Sequence, residues 1–213
     1  MATVPPEAPP RLIYVYDALC GWCYGFSPTL KAFAKTNNAA VDVVSGGMIR
    51  GPRIGMLSEV APYIRTAYKD VERATGVEFG GGFLKVLTEG DVYMTSEPAA
   101  ALLSWVKDVA PGKQLEAAHE LQRGVYFHGY GPDSDELARH LATGLGLDAE
   151  AAVAARSSEK YAAAAQQDFA LSQKLGVRGF PALFVEKEGG LVMIANGYTD
   201  GATLAARYEA AVG

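Results

Sequence analysis

Residues 18–28 read ALCGWCYGFSP and hold both cysteines of the chain, Cys20 and Cys23, with Gly21 and Trp22 between them. The pair is open to several uses: a metal clip, a structural staple, a redox couple or two inert core thiols. Two cysteines placed at random among 213 positions fall three apart in about one arrangement in a hundred. The spacing therefore gains weight only from its surroundings.

Upstream, RLIYVYD (11–17) is rich in β-branched and aromatic residues and follows a proline cluster, which predicts a strand buried on both faces. Downstream, Phe26, Leu30 and Phe33 recur at helical spacing until Asn37-Asn38. Cys20 thus falls at a strand-to-helix junction and Cys23 in the first helical turn. VDVVS (41–45) reads as a second strand, closed by Gly46-Gly47.

From about Gly51 the period is helical. Residues 54–75 carry Ile54, Leu57, Val60, Ile64, Ala67, Tyr68 and Val71, with Pro62 starting or kinking a helix. Gly80-Gly81-Gly82 reads as a loop breaker. Ser96 reads as the N-cap of a helix running to Pro111. Further helices are expected over 113–125, after the capping-box-like Asp133-Ser134-Asp135-Glu136 with Leu137 and Leu141, from Asp148 to Ala155, and from Ser157 or Ser158 to Leu175. ALFVE and GLVMIA, after Pro181 and around Glu188-Gly189, read as a β-hairpin. Thr199 is placed as the cap of a last helix bearing Leu204, Tyr208 and Ala211. With the helical stretch set aside, the order is βαβ followed by αββα, which fits a central sheet with helices on both faces.

The net charge of −5 at pH 7 argues against a nucleic-acid binder, which needs a concentrated basic face. No apolar run approaches the ~20 residues that span a bilayer, so no membrane partner is expected. MATVPPEAPP (1–10) lacks a basic n-region and an apolar h-region, and reads as a disordered leader rather than a secretory signal. That predicts a cytoplasmic protein, as does the absence of a disulfide framework.

A cysteine at a helix N-terminus meets unpaired N–H groups and the positive end of the helix dipole, which favour thiolate. Thiolate is the species that attacks a disulfide sulfur. Cys20 reads as the nucleophile and Cys23, one turn on, as the resolving thiol. A zinc site needs about four ligands, whereas His119, His128 and His140 lack ligand-like spacing, so no metal is expected. A staple across two residues removes little chain entropy.

The strand, CGWC, the helix bearing Pro28, and the distant VRGFPALFV (177–185) resemble the thioredoxin superfamily in its DsbA-like branch. YDALCGWCYGFSP, LQRGVYFHG and VRGFPALFV are close to its cytoplasmic FrnE-like members, predicted protein-disulfide isomerases. The resemblance implies an α/β thioredoxin-like fold, formed by 11–50 and 159–213, with an all-helical domain inserted over 51–158. It implies a thiol–disulfide oxidoreductase or isomerase with no cofactor. Its clients would be disulfide-containing proteins or small disulfides, and its reductant a dithiol system such as thioredoxin or glutathione. It makes Pro181 a cis proline beside the cysteines, although alone Pro181 reads as an ordinary strand-starting residue. Phe180 would offer backbone groups to an extended client segment, and with Trp22 an apolar rim.

Pro28 reads as architecture, and Tyr24 and Phe26 as core. Tyr126, Phe127, His128 and Tyr130 form an aromatic patch that either packs in the core, the favoured reading, or faces the groove from the helical domain. Asp17 either caps the turn or assists proton transfer. One departure stands out: periplasmic DsbA-type oxidants carry a histidine where this chain has Trp22. That predicts a less stabilised thiolate and a milder couple, leaning toward reduction or isomerisation. Two other functions remain open. A glutathione-dependent transferase or isomerase of the kappa or hydroxychromene-carboxylate isomerase type shares the architecture, but generally has serine at the position of Cys20. A binding module whose CxxC only reports redox state is the other.

Overall fold

Strand β1 (Arg11–Tyr16) takes an inner place in a four-stranded sheet of order β2–β1–β5–β6, with β2 at Ala40–Ser45, β5 at Ala182–Lys187 and β6 at Gly190–Asn196. The structure is a computed structural model that describes residues 10–213, so the leader expected over 1–10 lies, except for Pro10, outside the described residues. β1 runs parallel to β2, with Tyr14 opposite Val43, and antiparallel to β5, with Tyr14 opposite Leu183. β5 and β6 form an antiparallel hairpin.

The apolar run of β1 follows from its position, because both faces are covered. Leu12, Tyr14 and Tyr16 enter the main core with Cys23, Phe26 and Leu30. Val15 points the other way, into a cluster with Val44, Ala182 and Phe184. Helix α1 (Gly21–Thr36) joins β1 to β2 and buries Cys23, Phe26, Ser27, Leu30, Phe33 and Ala34. Pro28 lies inside it with its ring exposed.

Between β2 and β5 come α2 (Leu57–Thr75), α3 (Gly81–Glu89), α4 (Glu97–Val109), α5 (Gln114–Arg123), a π-helical turn (Gly124–His128), α6 (Asp135–Leu145), α7 (Ala149–Arg156) and α8 (Glu159–Lys174). Helix α9 (Gly201–Val212) ends the chain. The fold is a thioredoxin fold carrying a helical insert. The insert is not wholly helical: β3 (Gly55–Met56) pairs antiparallel with β4 (Tyr93–Met94).

The glycine triplet opens α3 rather than breaking the chain. A Cβ on Gly80 or Gly82 would strike the backbone of Phe127 or His128, so glycine lets the start of α3 lie against the π-helical turn. Ser96 precedes α4 as expected, but its hydroxyl is used elsewhere. Ser134 and Asp148 cap α6 and α7 by accepting from Leu137 N and from Glu150 and Ala151 N. The last cap is Asp200, one residue beyond the expected Thr199. Val60 is exposed, because α2 turns only a narrow stripe, Leu57, Ala61 and Val71, to the core.

β2 is an edge strand whose outer N–H groups would stand unpaired. Gln114 of α5 accepts from Val43 N at 3.0 Å, and Asp168 of α8 accepts from Ser45 N at 3.0 Å. Asp168 also pairs with Lys107 of α4, Nζ to Oδ2 2.7 Å, which ties α4, α8 and β2 together.

Candidate active site

Cys20 has extended backbone (φ −97°, ψ 107°) and is the N-cap of α1. Its Sγ accepts from Cys23 N at 3.3 Å, one of the free N–H groups at the helix start. On its other side the thiol donates to the Phe180 carbonyl at 3.6 Å. Cys23 is fully buried beneath it. Burial pushes the Cys23 thiol well up, the neighbouring Cys20 pushes it further, and the Asp17 backbone opposes this only in part. The two sulfurs are therefore unlike: Cys20, 5% exposed, is held by a helix N-terminus, while Cys23 has no exposure and is kept protonated in the core.

The turn carrying Cys20 is fixed by Asp17. Its carboxylate is buried and accepts from Leu19 N at 2.9 Å, Met48 N at 2.7 Å and Ser96 Oγ at 3.0 Å. Burial raises the pKa of this carboxyl group, and the donors counter the rise. With its oxygens so occupied, Asp17 caps the turn and clamps three segments at once. The Ser96 hydroxyl that seemed a helix cap is one of its donors, and Ser96 Oγ in turn accepts from Ile49 N.

Phe180 and Pro181 lie across from the cysteines. Their peptide bond is cis, and Pro181 is buried at the head of β5. The Phe180 ring covers Gly46, where any side chain would collide with it. Trp22 is 36% exposed and leans on Tyr198, centroids 6.2 Å apart. With Tyr63, Thr66, Ala67 and Asp70 of α2 it lines a groove of about 220 Å³. A larger cavity of about 630 Å³ lies near the far end of α1, beside Lys35, Asp42 and Gln114, and contains neither cysteine.

Tyr126, which the sequence places in the core, is buried there. It packs on Tyr24, Phe79 and Phe83, centroids 5.2–5.4 Å away. Its hydroxyl is raised by burial first, then by charge on Cys20, Asp17 and Cys23, which places it near the thiols. Gln122, one turn earlier, donates to the Asp17 carbonyl at 3.4 Å. No local signal marks residues a hundred positions from the cysteines. The rest of that aromatic patch turns away: His128 stacks on Tyr130 at 5.4 Å and lies 4.8 Å from His140. His119 Nδ1 lies 2.9 Å from Ser27 Oγ. Among the described residues, no three His, Cys, Asp or Glu gather as a metal site, and no helix is long and apolar enough to cross a membrane.

Comparison with known proteins follows the same outline. The model of the DSBA-like thioredoxin domain family matches residues 11–209. A proposed protein disulfide isomerase from Nitrosomonas europaea is 25% identical, with a TM-score of 0.81 over 95% of this chain and 97% of that one. The cytosolic disulfide reductase DsbM from Pseudomonas aeruginosa is 27% identical, with a TM-score of 0.77 over 94% and 97% of the two chains. Its structure with GSH gives 27%, 0.74 and the same coverage. A comparison with curated proteins finds no match.

Proposed function

The chain belongs to the DSBA-like thioredoxin domain family, and from that premise we propose that it reduces or isomerises disulfides of proteins or small molecules through Cys20 and Cys23. The observation that carries this reading is the placement of Cys20 Sγ, which receives the Cys23 N–H at 3.3 Å at the start of α1. A thiolate there is stabilised by the hydrogen bond and by the helix dipole.

The cycle uses only sulfur and protons. The Cys20 thiolate attacks one sulfur of the client disulfide, and the other client sulfur leaves and is protonated. Cys23 then attacks Cys20 Sγ, closing the Cys20–Cys23 disulfide and freeing the second client thiol. A dithiol or two glutathione molecules return the pair to the reduced state. The GSH-bound relative supports a glutathione-type reductant. The same relative, a cytosolic reductase, supports a cytoplasmic site of action and the reducing direction.

Trp22, Phe180 and Pro181 form the client wall in this reading. Support comes from the Phe180 carbonyl beside Cys20 and from the partly exposed Trp22 ring over the α2 groove. An extended client segment would lie along the Phe180 backbone, a tolerant mode that suits varied sequences. The test is insulin disulfide reduction. Cys20→Ser is expected to abolish it, and Cys23→Ala to accumulate mixed disulfides. Normal turnover by Cys20→Ser overturns the mechanism. Glutathione-dependent catalysis that survives Cys23→Ala would point instead to a glutathione transferase or isomerase.

A further inference from the structure

Tyr14 sits at the middle of β1, buried at 1% exposure. Its ring packs on Tyr16 and Phe26, centroids 5.5 and 6.1 Å away. Its hydroxyl has no well-formed hydrogen bond among the described residues. A buried hydroxyl without a partner is costly, and phenylalanine would fill the same space without that cost. The fold alone gives no reason for the oxygen.

The site gives one. Phe26 lies one turn after Cys23 on the buried face of α1. Tyr14, Phe26, Cys20 and Cys23 belong to one buried cluster, and both sulfurs are near enough to the Tyr14 hydroxyl to act on it, Cys23 the more strongly. Burial first, then the Cys23 and Cys20 sulfurs, hold the hydroxyl well above its ordinary range, so it remains a donor. The titratable groups around Cys23 among the described residues are Cys20, Asp17, Tyr14, Tyr16 and Tyr126. The Asp17 oxygens are committed to Leu19, Met48 and Ser96.

We propose that the Tyr14 hydroxyl is the hydrogen-bond donor that stabilises the Cys23 thiolate during resolution of the mixed disulfide. The inference rests on the assignment of Cys23 as the resolving thiol. In that step Cys23 loses its proton, and its sulfur forms the bond to Cys20 Sγ. The bond from Cys20 to the client sulfur breaks, and the client sulfur leaves with the electron pair and takes up a proton. Tyr14 keeps its own proton throughout and directs its O–H at the Cys23 sulfur while that sulfur bears charge.

The experiment is single-turnover reaction of the full reduced chain with Ellman's reagent. Attack by Cys20 releases one thionitrobenzoate, and resolution by Cys23 releases the second. Tyr14→Phe is expected to leave the first phase within about twofold and to slow the second roughly tenfold or more, the loss of one hydrogen bond to a charged sulfur. Its melting temperature should hold or rise. An unchanged second phase, or equal slowing of both phases, overturns the proposal. Cys23→Ala, run alongside, should release only one equivalent. If it releases two, the assignment of Cys23 has failed, and the inference with it, whatever Tyr14→Phe does.

Discussion

Gly25 tests how α1 is held against α2. It lies in the second turn of α1, next to the residues that seat Cys23. A Cβ there would sit 2.7 Å from Thr75 Cγ2 and 2.8 Å from Val71 Cγ1, both side chains of α2. Two effects oppose each other in Gly25→Ala. Alanine favours the helix by about 1 kcal/mol. Overpacking costs about 1–3 kcal/mol, because ordinary carbon contacts need roughly 3.5 Å. Val71 is buried and Thr75 is pinned by its hydroxyl, which donates to Val71 O at 2.7 Å, so neither gives way freely. The clash should win, with a net loss of about 1 kcal/mol and a melting point lower by roughly 2–4 °C. Thr75→Ser removes the nearer of the two offending methyls and keeps the hydroxyl, at a cost of about 0.8 kcal/mol alone. In the double variant the alanine methyl takes the vacated space, so the losses should fall short of additivity by about 0.5–1.5 kcal/mol. Urea unfolding of the four proteins measures this. Strict additivity, or a Gly25→Ala protein stabilised by the full helix gain, refutes the α1–α2 packing described here.

His119 should make stability acid-sensitive. Burial first, then Lys31, lower its pKa to about 4. As pH falls below 6.5 the unfolded chain takes up a proton that the folded chain refuses until about 4, so stability is lost across that window and levels off below it. After allowance for its partial exposure the loss is about 1–2 kcal/mol. His119→Gln should flatten the slope of the urea midpoint between pH 7 and pH 5, leaving the smaller share from His140, which burial lowers in the same direction. Equal slopes in both proteins contradict this. For the redox pair, Trp22 supplies no cation beside Cys20. The reduction potential should therefore fall nearer about −200 to −270 mV than the roughly −120 mV of a strong oxidant. Equilibration with glutathione buffers decides it, and a value near the oxidant end removes the reducing assignment.

What could be read in the sequence was what local period and local chemistry determine. β1, α1, β2 and the β5–β6 hairpin each announce themselves within a few residues, and the place of Cys20 follows from their order. β3 and β4 are two residues each, too short to carry a period. The start of α3 was hidden because its glycines answer to a backbone more than forty residues away. Tyr126 comes near the thiols, Gln122 meets the Asp17 carbonyl and Gln114 the edge of β2 only once the chain has closed on itself. Asp17 was legible as a turn cap but not as a clamp, since Met48 and Ser96 are its partners only in three dimensions.

Those long-range partners bear on why the helical segments matter to the chemistry. A thioredoxin-like sheet with α1 alone would still place Cys20 at a helix start. It would leave Asp17 without the Ser96 hydroxyl and Val43 N without Gln114. A buried carboxylate that loses a donor is harder to keep charged, and the turn it caps loosens. Cys23 would lose cover from Tyr126 as well, since that ring closes the main core beside the thiols. Exposure would ease the burial that keeps Cys23 protonated, and with it the contrast between the two sulfurs. In the proposed mechanism resolution depends on that contrast: a Cys23 that ionised freely would compete with Cys20 for clients instead of waiting for the mixed disulfide. On that mechanism the helical segments act on the order of events at the pair.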